Sequence, residues 1–153
     1  MEYSLRENLK PLYELMTSTI ILVEVFFIKG ECIMGFIFVG LGGAIGAILR
    51  YSIGLIPINM SFPLKTLLIN ILGSFLIGLF AGFFSSFNVS KNLRLLLETG
   101  LCGGFTTFST FSLENINLLE NKQYGEAILY MGLSLGCSLL GAYLGKSVVK
   151  LFI

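Results

Sequence analysis

Two stretches of this chain, Thr66–Phe84 and Ala127–Gly145, each run for 19 residues without a charged side chain. About 20 apolar residues, rising about 1.5 Å each, cover the roughly 30 Å hydrocarbon core of a bilayer. Two further segments have the same character. One runs from Met34 to about Leu55, with Arg50 near its far end and Pro57 beyond. The other starts near Leu93 and reaches about Phe111, with Glu98 inside it and Glu114 just past it. The loops between them, Ile56–Lys65, Ser85–Asn92 and Asn115–Glu126, are too short to hold a soluble domain. The expected fold is therefore an all-α integral membrane protein with four transmembrane helices.

Composition narrows the function. Charged residues make up 12% of the chain, about half the usual share of a soluble domain. There is no His, and all nine acidic residues are Glu. A Ser-His-Asp triad and a His-based metal site are thereby excluded. A net charge of +1 provides no basic face, so no nucleic-acid partner is expected. Cys32, Cys102 and Cys137 show no CxxC spacing, and Cys102 and Cys137, inside apolar runs, read as small buried hydrophobes. No enzymatic activity is expected.

Residues 1–33 differ from the rest. They hold five Glu and three basic residues, and their apolar run, Met16–Ile28, is too short to span a bilayer. It is no signal peptide either, since no positive segment precedes it and no small-x-small cleavage site follows. Lys29-Gly30-Glu31 can be encoded by a purine-rich tract lying where a bacterial ribosome-binding site would precede Met34. The expectation is that translation starts at Met34, leaving residues 34–153 as the functional domain.

Small residues recur at helix-packing spacing in Gly42/Gly46, Ser74/Gly78, Gly132/Gly136 and Gly141/Gly145. In lipid such faces let backbones approach closely, which predicts a crowded bundle or a dimer. Within residues 34–153, Lys91, Arg94, Lys146 and Lys150 fall on one side of the membrane, and Arg50, Lys65 and Lys122 on the other. So even a division hardly specifies orientation. It fits either one weakly determined topology or insertion both ways up.

The third segment carries the unusual chemistry. From Phe105 to Ser112, five hydroxyl residues and three Phe fill eight positions, just after Gly103-Gly104. The Gly pair and the Thr106-Thr107 pair favour a local break that frees backbone carbonyls. Irregular backbone at membrane depth persists only inside protein or beside water. Freed carbonyls there suit an alkali cation. Phe105, Phe108 and Phe111 drift slowly around one helical face, and their positive ring edges can line a path for a small anion. The competing reading is ordinary packing. Asn70 is either helix-to-helix glue or a pore donor. Tyr130, Ser134 and Ser138 form one narrow stripe, a polar track unless the serines bond back to their own helix. Arg50 and Glu114 lie near segment ends, where electrostatic roles at a vestibule are open to them.

Taken together, the run Gly42-Gly43-Ala44-Ile45-Gly46-Ala47-Ile48-Leu49-Arg50-Tyr51, the run from Thr66 to Phe75 around Asn70, and the run from Gly103 to Glu114 resemble the fluoride channel family, Fluc/CrcB. The likeness covers residues 34–153, and residues 1–33 have no counterpart in it. It implies a third helix broken near its middle and a dual-topology, antiparallel dimer with two pores, built from this chain or a close paralogue. It implies that Asn70, Phe108 and Phe111 line the fluoride path, with Ser109 and Thr110 at the hydroxyl positions of the break and Tyr130, Ser134 and Ser138 as the polar track. It implies a structural Na⁺ at the dimer centre, held by carbonyls that map onto Gly103 and Thr106. Arg50 matches a first-span arginine, and Glu114 a vestibule glutamate.

The expected function is passive export of fluoride from the cytoplasm through the plasma membrane of a bacterium, protecting against fluoride toxicity. Its partners would be the fluoride ion and the lipid bilayer. The alternative is a four-span, dual-topology, proton-coupled exporter of a small molecule or cation. That needs a titratable carboxylate deep in the membrane, and the candidate, Glu98, sits about one turn from the start of its segment, which favours a helix-end location.

Overall fold

The structure, a computed structural model, describes residues 30–58 and 60–152, with side chains from Ile33 onward. The apolar run Met16–Ile28, the stretch before Gly30 and the side chain of Cys32 lie outside the described residues. The chain divides into the units Met1–Phe36 and Ile37–Ile153. The contacts below belong to the second.

Helix α1 spans Gly30–Gly54. Its last turn closes through Leu55 N–H to the carbonyls of Tyr51 and Ser52, both at 3.2 Å, and Pro57 follows where a helix cannot continue. Helix α2, Leu64–Ser86, begins directly after Pro63, whose φ of −75° already suits a first turn. Ser90 then caps α3, Lys91–Arg94, its hydroxyl accepting from Leu93 N–H at 3.3 Å. The chain continues without leaving helical dihedrals through a π-helical stretch, Leu95–Cys102, into α4, Gly103–Phe105. Residues 91–105 thus form one rod. Thr106 and Thr107 are extended, with ψ of 160° and 112°. Helix α5, Phe108–Glu120, starts afresh from Thr107, and α6, Tyr124–Lys150, completes the chain. The described residues contain no strand.

Three helices are long and apolar enough to cross a bilayer: Ile33–Gly54, Leu64–Ser86 and Tyr124–Lys150. Residues 91–120 do not form a fourth such helix, because Thr106 and Thr107 divide them.

Two element bounds correct the sequence expectation. The third segment does not end near Phe111, and Asn115–Glu126 is not a loop. Helix α5 runs on to Glu120 and only residues 121–123 turn. Hydropathy falls after Phe111 because Ser112, Glu114, Asn115 and Asn117 are polar. Yet Leu118 is buried against Leu67, Ala127 and Tyr130, and Asn115 Nδ2 is satisfied by Phe111 O at 2.8 Å. The turn is tight. Gln123 N–H reaches Leu118 O at 2.9 Å and Lys122 N–H reaches Leu119 O at 3.0 Å, with Lys122 at φ 60°. That pair of bonds closes the helix in a Schellman motif.

Glycine decides how the rods pack. Gly42 and Gly46 of α1 face Gly100 and Gly104 of the third rod, another pair four residues apart. A Cβ at Gly42 would meet Leu96 O, one at Gly46 would meet Leu101 O, and one at Gly104 would meet Gly43 O. Between α2 and α6 the same device recurs: a Cβ at Gly78 would strike Ala142 O, and one at Gly145 would strike Phe75 O. Of the four spaced pairs, Gly42/Gly46, Gly141/Gly145 and the glycine of Ser74/Gly78 therefore serve packing within the chain. Gly132 and Gly136 meet nothing within 4 Å.

Candidate functional site

An unbroken helix would direct Thr107 N–H to Gly103 O and Thr110 N–H to Thr106 O. Both donors go elsewhere. Thr107 N–H donates to Asn70 Oδ1 at 2.9 Å, and Asn70 Nδ2 returns a bond to Thr107 O at 3.2 Å. The amide of Asn70 thus pairs with one extended residue as a neighbouring strand would. Thr110 N–H donates to Thr107 Oγ1 at 3.2 Å, the N-cap of α5. Thr106 N–H and its hydroxyl both reach Cys102 O, at 3.0 and 2.9 Å. Arg50 Nε donates to Gly104 O at 3.2 Å. Gly103 O and Thr106 O are left without their helical donors. Around Gly103 there is open space, with nothing within 4 Å of where a Cβ would stand. Two freed carbonyls beside open space fit the oxygen ligands that a hard cation takes.

A cavity of about 520 Å³ runs beside this break. Helix α2 gives it Asn70 and Ser74, α5 gives Phe108 and Phe111, and α6 gives Ser134 and Ser138. Gly103, Thr106 and Thr107 close it on the side of the break. Phe108 and Phe111 contact each other with ring centroids 5.5 Å apart, and Phe108 is 79% exposed. Asn70 spends one amide hydrogen on Thr107 O and keeps a second. It ties α2 to the break and also lines the groove. Ser52, Ser112 and Ser147 bond back to carbonyls of their own helices, at 2.9, 2.9 and 2.8 Å. Ser134 and Ser138 make no such bond, so their hydroxyls remain available to the groove. The groove therefore offers an amide hydrogen, two hydroxyls and two aromatic rings. These are donors of the kind that replace water around a small anion.

Other expected site residues sit apart from the groove. Ser109 and Thr110 are not among its lining. Their hydroxyls lie 3.3 and 2.9 Å from Thr107 Oγ1, at the start of α5. Phe105 does not share a face with Phe108 and Phe111, because the two extended threonines reset the helical phase. It is buried beside Gly73. Tyr130 is fully buried behind Phe111, with ring centroids 5.0 Å apart.

Glu114 was expected just past a segment end, free to reach water. It lies instead in the second turn of α5 and is held from two sides. Thr66 Oγ1 donates to its Oε1 at 2.8 Å, and Tyr130 O–H donates to its Oε2 at 2.7 Å. Three elements are pinned by one carboxylate. Thr66 is a residue that sequence reasoning missed. The signal was available: it precedes Asn70 by four positions and so lies on the same face of α2.

Comparison with known proteins decides the family. The model described as "CrcB-like protein, Camphor Resistance (CrcB)" matches residues 37–146. The chain belongs to the CrcB family. Its CrcB relatives include a protein of Campylobacter fetus, 46% identical over 117 residues, which cover 74% of this chain and 91% of the relative. Another, from Flavobacterium psychrophilum, is 44% identical over 117 residues, covering 74% and 94%. A third, from Ruminiclostridium cellulolyticum, is 47% identical over 116 residues, covering 73% and 89%. Each bears the name "Fluoride-specific ion channel FluC". With three membrane-length helices in a CrcB chain, the protein is a multi-pass membrane protein.

Every site residue discussed above falls inside the CrcB match. Within it, Glu98 lies in the Leu95–Cys102 stretch and lines the same groove as Asn70 and Ser134.

The carboxylate clamp in this CrcB chain has a measurable weight. Tyr130→Phe removes one of two donors to a half-buried Glu114 and should lower stability by about 2 kcal/mol, as bonds to charged groups do. Thr66→Val should cost a similar amount, and the double variant less than the sum, since both act on one carboxylate. Thermal unfolding in mild detergent measures all three.

Proposed function

We propose that this protein is a passive fluoride channel of a bacterial plasma membrane. One observation carries the reading: Asn70, Ser134, Ser138, Phe108 and Phe111, from three separate helices, line a single groove. The relatives' name supplies the ion. Fluoride is small and strongly hydrated, so a conducting path must replace its water with fixed donors. The groove's amide, hydroxyls and ring edges are such donors. From acidified surroundings fluoride enters the cell as neutral HF and is trapped as an ion in the cytoplasm. A negative-inside potential drives the anion out, at about 2.3 kcal/mol per charge per 100 mV. No chemical step is required, in keeping with a transport protein rather than an enzyme.

In this reading residues 91–120 make the fourth crossing, interrupted at Thr106 and Thr107. Two copies pair antiparallel, an arrangement favoured by the near-even division of basic residues between the two sides. The outward-facing Phe108, and Gly132 and Gly136 with their open surroundings, offer a surface on which a second copy would close the groove. Gly103 O and Thr106 O would hold a structural Na⁺ where two copies meet. When bound, the ion supplies a fixed positive charge that ties the interrupted segments together. Crosslinking of the chain expressed alone tests the pairing. Translation from Met34 belongs to the same proposal, and an intact mass that includes Met1 would overturn it.

The deciding experiment loads liposomes with potassium fluoride and reconstitutes the purified chain. On adding a potassium ionophore, with no proton gradient, fluoride should leave far faster than from empty liposomes. Equal rates would sink the channel. Proton-dependent cation exchange would favour the exporter, whose carboxylate would be Glu98. A second outcome tests the residues. Phe108→Ile and Phe111→Ile should assemble normally yet slow fluoride efflux about 100-fold each, roughly 2.7 kcal/mol of lost stabilisation. Normal conduction in both variants would refute the assignment of those rings.

A further inference from the structure

We infer that a second cavity, across the third rod from the groove, holds one acyl chain of an anionic phospholipid whose phosphate rests on Lys65. Such a lipid site is separate from fluoride passage and stands whichever ion the groove carries. The cavity measures about 370 Å³. Ile53 and Ile56 of α1, Leu72 and Leu76 of α2, and Leu101 and Phe105 of the third rod line it. Cys102 lines both cavities, so the rod that carries the break separates them. A second copy seated on Phe108, Gly132 and Gly136 would close the groove and leave this cleft to the lipid.

The lining fits hydrocarbon. None of its residues is charged. Ser52 brings the one hydroxyl, and that is spent on Ile48 O at 2.9 Å. Such a space gives water and small anions no partner. Its depth fits as well. Ile56 lies just past the end of α1, whereas Leu76 lies about 18 Å along α2 from its start at Leu64. One leaflet is about half of the roughly 30 Å apolar core. A single chain entering at Ile56 therefore reaches the inner end of the cleft near the bilayer centre.

A cation marks the mouth. Lys65 Nζ donates to Gly54 O at 2.9 Å, and Gly54 stands in the chain between the lining residues Ile53 and Ile56. The bond fixes the ammonium there and leaves it two hydrogens for another acceptor. Among the described residues no carboxylate pairs with it. Arg50 is turned to Gly104 O, and Glu114 is taken up by Thr66 and Tyr130. A fixed positive charge at the end of an apolar cleft matches a phosphate at the end of a hydrocarbon chain.

The chain contains no Trp, so a single introduced Trp reports only its own surroundings. Single-Trp variants are reconstituted in vesicles of phosphatidylcholine and phosphatidylglycerol, with one or the other lipid brominated along its acyl chains. Quenching then gives the relative affinity of the two lipids at each Trp. Ile56→Trp at the mouth and Leu72→Trp inside should both favour phosphatidylglycerol about fivefold, the weight of one basic side chain facing an anionic lipid. Adding Lys65→Gln should bring both ratios to about one. Tyr51→Trp, exposed on α1 and outside the cavity, should show no preference. Leu76→Trp replaces Leu72→Trp if that variant is not recovered. Quenching by neither lipid inside the cleft would mean that a second copy fills it. A preference at Ile56→Trp alone would mean that Lys65 gathers headgroups without seating a chain. Either result, or an equal preference at Tyr51→Trp, overturns the lipid site and leaves the fluoride reading to its own efflux test.

Discussion

Asn70→Ala is expected to abolish fluoride efflux and to destabilise the protein by about 4 kcal/mol. The variant loses both bonds to Thr107 and strands the N–H and C=O of that residue where no helix serves them. Each buried backbone group left without a partner costs about 1–3 kcal/mol, and two are orphaned together. The conduction loss has a separate cause, because the second amide hydrogen of Asn70 also leaves the groove. Thermal unfolding in detergent and ionophore-driven efflux read the two effects independently. A variant that melts within about 2 °C of the parent and conducts normally would show that neither role is real.

The second large effect is steric. A Cβ at Gly46 would meet Leu101 O, and would also lie 2.7 Å from Phe105 N and 3.0 Å from Gly104 C. All three obstacles are backbone, so no rotamer change can relieve them. Gly46→Val should force α1 away from the third rod and cost at least about 3 kcal/mol, the upper end of overpacking penalties. Because Arg50 holds Gly104 O from the next turn of α1, the same displacement should loosen the break. The expected result is loss of a monodisperse peak on size-exclusion chromatography. Gly125→Ala is the control: nothing lies within 4 Å of its Cβ position, and its effect should stay within about 0.5 kcal/mol. Equal behaviour of the two variants would mean that close approach of these rods does not matter.

Both predictions turn on backbone rather than on apolar area, which is characteristic of a membrane bundle. Lipid is as apolar as the side chains, so burying them gains little, and close contact with satisfied polar groups does the organising. The many exposed leucines and isoleucines of α1, α2 and α6 agree with this.

The same physics explains what was legible in the residues. Helices α2 and α6 were readable to within five residues at each end. An uncharged apolar run is a local property, and every backbone group inside such a helix finds its partner four residues away. The groove chemistry was partly readable, because Asn70, Ser134 and Ser138 are polar residues in apolar runs and stand out wherever the chain goes. Helix α5 was not. Its polar face looks like a loop until Thr66 and Tyr130 arrive to bond Glu114, and those donors are 48 and 16 residues away. Which residues leave the helix at the break was likewise undecided by the glycines and hydroxyls themselves. Asn70, on another helix, settles it by taking the backbone of Thr107. Hydropathy and spacing act within a few residues and so define the membrane rods. A hydrogen bond across the bundle depends on where two distant segments meet, and only the folded arrangement determines that.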